Sequence, residues 1–303
     1  MSLRNNARVS NETHQLPPDI WYLLQDHERY VYHYTTAPTL AKILSKGQLR
    51  FSRFEDVNDP RESKDWEFSY CAATVSLATF EPESIQSKLN QLLKRSWRIG
   101  CFVIDPYEAL ATKERDDRGE DISGAMYERG HSRPRMWELY GDKYSGACLI
   151  FDKAHLDADI RSFAKGAVFA NNVAYCNPTS VANLRQPDAL MISLDELNRD
   201  GVAEAVKAHV LKHWRELFFV KSRDWEQERE YRWVINSTAD FYVDIRKSLV
   251  GVALGDRFPQ HLKAAVGKFA EDNPVSVAVM NWRNGVPQPS PTYWRLLIGS
   301  GGR

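Results

Sequence analysis

The stretch from Trp225 to Ile235 constrains the fold more than any other. It opens as a block of charge, Glu226-Gln227-Glu228-Arg229-Glu230, and closes as an alternating strand. At a period of two, Tyr231, Trp233 and Ile235 share one face, and Glu228, Glu230 and Arg232 share the other. So heavy an aromatic face needs a core to bury it. The opposite face then carries two carboxylates and a guanidinium in a row. Adjacent carboxylates raise each other's pKa, and an arginine beside them lowers it again. A site holds acid, base or hydroxyl-orienting carboxylates at fixed spacing in this way. The same row also fits a solvated strand edge with a ladder of salt bridges. The stretch alone does not separate the two.

Composition narrows the class. The chain has 303 residues, and 43% of them are hydrophobic, enough for a sizeable core. Forty basic residues balance forty acidic ones, so no net field draws in nucleic acid or an anionic membrane. Cys71, Cys101, Cys148 and Cys176 form no CxxC pair and flank no histidine pair, so no metal site is expected. Cys101 and Cys148 sit in apolar runs and read as buried reduced thiols, which suits a cytoplasmic protein. The amino-terminal stretch lacks an apolar signal core, and no apolar run reaches the length of a membrane span.

Along the chain, residues 1–18 read as a flexible arm, and residues 19–303 as one α+β domain. A short helix is expected at Ile20–Leu24 and a strand at Tyr30–Tyr34. Thr35 or Thr36 caps the next helix, with Leu40, Ile43 and Leu44 as its buried stripe. A strand at Leu49–Ser52 leads to the turn Asn58-Asp59-Pro60, followed by a helix through Trp66 and Tyr70. A helix over Glu83–Trp97 precedes a strand over Arg98–Ile104. Asp105 to Pro134 is charged and glycine-punctuated, a long insertion or lid. Helical turns at Arg135–Tyr140 lead to a buried strand at Gly146–Phe151. One strand is expected over Ala167–Tyr175 and one long amphipathic helix over Asp195–Val220. Beyond the opening stretch, strands fall near Phe241–Ile245, Leu249–Leu254, Val275–Asn281 and Tyr293–Ile298, with a helix near Gln260–Ala270. The alternation gives a mixed, mostly antiparallel sheet core with surrounding helices.

Several polar residues stand where chemistry can use them. His33 lies between tyrosines at a strand end, placed either to bond a ligand hydroxyl or to be satisfied by the backbone. Tyr34 follows it. Ser52 and Phe54 close the second strand and bracket a ligand if a cleft opens there. Asn58 and Asp59 form a polar turn, more often a rigid connection than a ligand site. Arg135 starts a helix, a position suited to an anion. Trp137 and Tyr140 share a helical face, more often core than platform. No nucleophile signature, Walker loop, GxGxxG or HExxH is present. A nuclease built on a Glu-x-Lys strand would want lysine where Arg232 stands.

Taken in order, Tyr32-His33-Tyr34-Thr35, Leu49-Arg50-Phe51-Ser52, Asn58-Asp59-Pro60 with Glu62, Met136-Trp137 with Tyr140, Gly146 through Asp152, and Trp225 with Glu228, Glu230, Tyr231 and Arg232 are specific. From about Tyr30 to Gly255 the chain resembles the bacterial domain of unknown function 2971 family, with a longer link at Asp105–Pro134. The resemblance implies an association with phage defence and abortive infection. At a distance the layout is also similar to the ADP-ribosyltransferase fold. That likeness implies NAD as substrate, with a protein or nucleic acid as acceptor. It implies that His33 meets the nicotinamide-side ribose, that Ser52 or Phe54 brackets the nicotinamide, and that Glu230 steadies the oxocarbenium-like transition state, with Glu228 as its partner. The competing expectations are a non-catalytic sensor that binds a nucleotide or a partner, and a metal-dependent nuclease with further acidic residues around Glu230.

Overall fold

The computed structural model describes residues 28–105, 129–177 and 187–291. The expected arm at 1–18, the helix at Ile20–Leu24, most of the Asp105–Pro134 insertion and the strand at Tyr293–Ile298 lie outside the described residues. The fold is α+β, with a mixed, mostly antiparallel sheet wrapped by helices.

The strands are β1 (Tyr30–Thr35), β2 (Gln48–Arg53), β3 (Ser69–Cys71), β4 (Trp97–Val103), β5 (Ala147–Asp152), β6 (Val168–Asn172), β7 (Ala174–Cys176), β8 (Met191–Ser193), β9 (Val220–Ser222), β10 (Glu230–Asn236), β11 (Phe241–Asp244), β12 (Leu249–Leu254), β13 (Ser276–Arg283) and β14 (Val286–Pro291). The main sheet runs β11-β2-β4-β1-β5-β12-β13-β14, with β10 also on β4 and β6 on β10. Within it β12 and β13 pair in parallel. The ribbons β3–β8 and β7–β9 stand apart and are also parallel.

The helices are α1 (Ala37–Lys46), α2 (Pro60–Ser63, one turn), α3 (Pro82–Asn90), α4 (Pro134–Leu139), α5 (Lys153–Phe163), α6 (Leu194–Asp200), α7 (Val202–Phe218) and α8 (Gln260–Asp272). Thr36 caps α1, and its buried face is Ala37, Leu40, Ile43 and Leu44, as the stripe predicts. One core joins α1, α5 and α8 to the sheet face carrying Phe51, Phe102 and Trp233. A second gathers Leu89, Leu217 and Phe218 against Ile99 and Val234 on the other face.

Four expectations need correction. The helix expected through Trp66 and Tyr70 is only the turn α2, because Asn90 Oδ1 accepts from the Trp66 amide at 2.9 Å and holds the chain extended. The helix expected over Asp195–Val220 is two, broken at Gly201, whose φ of 80° lies where side chains are disfavoured. The strand expected at Ala167–Tyr175 splits at Val173, whose amide bonds the Glu230 carbonyl, so β6 and β7 join different sheets. Trp97 belongs to β4, and the helix before it ends in the wider turn Gln91–Arg95.

The two edges of β4 are paired unequally. Along one edge it pairs with β10 over its whole length, Glu230 opposite Val103 to Asn236 opposite Trp97. Along the other it meets β1 only at Val103, opposite Tyr32, and β2 only at Ile99 and Arg98, opposite Ser52 and Arg53. Between those contacts β1 and β2 diverge and leave a split over Gly100–Phe102. Gly100 permits this narrow floor, since a Cβ there would stand 2.6 Å from the Phe51 ring. Beside it, Asp105 Oδ2 accepts from the Arg129 guanidinium and the Tyr32 hydroxyl, both at 2.9 Å, and Asp105 Oδ1 accepts from the Gly130 amide at 2.6 Å.

Candidate functional site

The split opens as a cleft of about 220 Å³. His33 and Tyr34 of β1, Arg50 and Ser52 of β2, Asn58, Gly100–Val103 of β4, Met136 and Tyr140, and Lys221, Glu228 and Glu230 line it. Alternation turns His33 to the opposite side of β1 from Tyr32 and Tyr34. The ring enters the opening where β1 has left β4, so it lines the same cleft as Glu230. Its Nδ1 lies 3.0 Å from the Cys101 carbonyl oxygen, which can only accept, so Nδ1 carries the proton and Nε2 is left as an acceptor. Burial lowers the His33 pKa, so the ring is neutral near pH 7.

Behind the cleft lies a buried charge network. Glu62, Lys221, Glu228, Glu230 and Arg232 are all at most 6% exposed, which excludes the solvated-edge reading of the β10 charges. The Lys221 ammonium bridges Glu228 Oε2 at 2.9 Å and Glu230 Oε2 at 2.8 Å. Arg232 grips Glu230 with two bonds, one of them 2.9 Å from Nη2 to Oε2, donates to the Phe218 carbonyl at 2.8 Å, and meets Glu62 in an ion pair. Tyr140 donates to Glu228 Oε1 at 2.6 Å. The Tyr175 hydroxyl accepts from the Glu230 amide at 2.8 Å. Burial by itself would lift the Glu230 carboxyl, but Arg232 and Lys221 outweigh it and hold the pKa down at about 2. For Glu62 the balance is reversed: burial outweighs Arg232 and Lys221, and the pKa is raised. Burial works against the Lys221 charge, yet the carboxylates around it raise its pKa. The three glutamates and two cations thus stand as a nearly compensated set.

Glu228 and Glu230 do not share a strand face as the alternation predicts. Glu228 ends a 3-10 turn, Arg223–Glu228, and Arg229 at φ 45° swings the chain before β10 begins. The two carboxylates still converge, because Lys221 draws both. Asn58 lines the cleft, whereas Asp59 lies behind it and caps α2 by accepting from the Arg61 amide at 2.9 Å. That turn aims Glu62 at Arg232 and lets Arg61 donate to the Val220 and Glu216 carbonyls, both at 2.6 Å. Phe54 does not bracket a ligand; it is wholly buried against Trp66 and Phe218. Arg135 is exposed and points away, 3.5 Å from the Asp224 carbonyl. Trp137 is fully buried behind Tyr34, but Tyr140 lines the cleft instead of lying behind it.

Lys221, Glu62 and Tyr175 were not expected at the site. A lone lysine in the apolar run Phe218-Phe219-Val220-Lys221 was the available signal, since a buried lysine requires a partner. Among the described residues no group of three or more His, Cys, Asp or Glu is arranged to hold a metal ion. Lys221 stands between Glu228 and Glu230, and Arg232 stands between Glu230 and Glu62.

Residues 136–233, from α4 into β10, match the model of a family described as protein of unknown function (DUF2971). The match supports the family resemblance. It covers about a third of the chain and includes Tyr140, Lys221, Glu228, Glu230 and Arg232, but not His33 or Ser52. No curated protein and no solved structure gives a significant match. Among the described residues, no helix is long and apolar enough to cross a membrane.

Proposed function

We propose that the cleft binds NAD and cleaves the bond between its nicotinamide and ribose, with Glu230 as the catalytic carboxylate. The observation that carries this reading is the convergence of His33 and Glu230 on one cleft at a split in the sheet. The His33 Nε2 accepts a ribose hydroxyl. Ser52 and Asn58 offer hydrogen bonds from the opposite wall. As the C1′–N bond breaks, its electron pair passes to the nicotinamide nitrogen and neutralises the pyridinium. Positive charge grows on the ribose, and the fixed Glu230 carboxylate faces it. Lys221 serves both that carboxylate and Glu228, so it can shift toward Glu228 as the sugar charge develops. An acceptor oxygen then bonds C1′ and releases its proton to water. Such an activity would suit the defence or toxin role that the family resemblance implies.

A second reading, a non-catalytic nucleotide-binding module, draws support from the occupancy of both carboxylates. Tyr140 and Lys221 engage Glu228, and Arg232 and Lys221 engage Glu230. Incubation with NAD and mass spectrometry for free nicotinamide separates the two. Glu230→Gln should lower the release at least about 100-fold, the scale of a lost electrostatic partner. His33→Ala, which removes a side chain bonded to the Cys101 carbonyl and to no member of the charge network, should lower it while the protein stays folded. No nicotinamide from the folded wild type, despite measurable nucleotide binding, would leave the binding module in front.

A further inference from the structure

A cleft of about 220 Å³ has room for one nucleoside and falls below the roughly 300–1,000 Å³ of pockets that engulf a whole ligand. A dinucleotide seated there must continue outside it. The sheet offers one path. Ser52, at the cleft wall, shares a face of β2 with Arg50, which also lines the cleft and is exposed. Directly across the β2–β11 pair from Arg50 stands Tyr242. Cross-strand neighbours stand about 5 Å apart at Cβ and share a face. The residues flanking Tyr242, Phe241 and Val243, are buried in the core, so this ring alone of the three turns outward, at 40% exposure.

Two features mark this face as unfinished. Among the described residues, Arg50 makes no hydrogen bond and no ion pair, although arginines elsewhere on the surface, such as Arg95 and Arg161, are matched to carboxylates. On the same face of β11, Asp244 is engaged by Arg246 and does not neutralise Arg50. Asp56, on the cleft rim beyond Ser52, is the nearby opposing charge. Inside the cleft the charged groups are paired with one another, which leaves His33 and the Ser52 hydroxyl to meet a ligand; at its outer end stands a free fork of donors. That polarity suits a ligand with sugar hydroxyls within and phosphates at the mouth. An exposed aromatic ring one strand further on suits a second base.

We propose that β2 and β11 form an outer subsite for a dinucleotide, in which Arg50 binds the phosphates and Tyr242 stacks the distal base. This deepens the nucleotide reading of the cleft and rests on it for the seat of the first nucleoside. Both residues are exposed and outside the charge network, so Arg50→Gln and Tyr242→Ala should melt like the wild type.

The test is calorimetric binding of nicotinamide riboside, nicotinamide mononucleotide and ADP-ribose to the full chain and both variants, with NAD kinetics in parallel. Arg50→Gln should weaken the mononucleotide and ADP-ribose on the order of tenfold and leave the riboside unchanged. Tyr242→Ala should weaken ADP-ribose on the order of tenfold and spare the mononucleotide. With NAD, both variants should raise KM and leave kcat alone. ADP-ribose binding that is absent in the wild type, or equal in all three proteins, overturns the subsite. Nicotinamide release with an unchanged KM in both variants also overturns it, while leaving the glycosidic reading intact. ADP-ribose binding that depends on Arg50 and Tyr242, without nicotinamide release, supports the subsite and removes the glycosidic reading.

Discussion

Lys221→Met tests the charge network more directly than any substitution of a carboxylate. The side chains are similar in volume, and the site is buried, so the change removes the charge and leaves little void. Lys221 bridges Glu228 and Glu230 at 2.9 and 2.8 Å. Without it, two buried carboxylates face each other, with Arg232 already committed to Glu230 and Glu62. Breaking a buried pair by removing one partner costs about 3–5 kcal/mol, a large part of the roughly 5–15 kcal/mol by which a fold is stable. The pH dependence fixes the cause. In the wild type the Glu230 pKa lies at about 2 against an ordinary 4.5. Its ionised form therefore stabilises the fold above about pH 4.5, on the order of 3 kcal/mol, and that contribution is lost as pH falls from there through 2. Without Lys221 the two carboxylates repel each other at neutral pH, and lowering the pH from 7 to 5 relieves that repulsion. The wild type changes little over that interval. Urea unfolding should thus show the variant's deficit largest at pH 7 and clearly smaller at pH 5. Adding Glu228→Gln should recover part of it at pH 7. A deficit below about 1 kcal/mol, or one equal at both pH values, would show that Lys221 does not compensate these carboxylates.

Three further outcomes can be checked by chemical or thermal unfolding. Tyr140→Phe removes the 2.6 Å bond to Glu228 and should cost about 1.5–3 kcal/mol, as for hydrogen bonds to charged groups. Trp137→Ala empties a fully buried site between Tyr34 and Tyr144 and should cost about 3–5 kcal/mol. Lys143→Gly should raise stability by about 0.5–1 kcal/mol, because Lys143 is exposed at φ 51° in a run of three left-handed residues, Asp142 to Tyr144.

Much of the fold was readable along the chain. Tyr30–Tyr34 and the buried run ending at Phe151 became β1 and β5 because their β-branched and aromatic residues need two buried faces, whereas Leu49–Ser52 became β2 by alternation, with Leu49 and Phe51 inward and Arg50 outward. The aromatic face of β10 pointed to the core that Trp233 and Ile235 now fill. The site was legible only in pieces. His33 and Glu230 were marked by local chemistry, but nothing local revealed that β4 divides its edge between β1 and β2, since that depends on distant strand pairing. Arg229 takes a left-handed turn without being Gly or Asn, so the alternation ran past it and put Glu228 on the wrong element. The Asn58-Asp59-Pro60 turn announced its own shape but not its task, which is to carry Glu62 to a partner on a strand 170 positions away at Arg232. Phe54 shows the converse: a ring at a strand end signals apolar surface, and whether protein or ligand covers it is settled by packing.

The bonds that Asp105 makes to Arg129 and Gly130 bring the two ends of the chain between them to one point of the fold. With the entry and exit of a segment tied together, its length is nearly decoupled from the architecture. Doubling a closed segment adds only about 0.6 kcal/mol of closure entropy. This is therefore a place where the chain can lengthen, shorten or accept foreign sequence while β4 and α4 keep their positions. The link is a thermodynamically cheap place for such changes. It also enters and leaves beside Tyr32 and Tyr34, at the wall of the cleft. Variation here could change what reaches the cleft without disturbing the groups inside it.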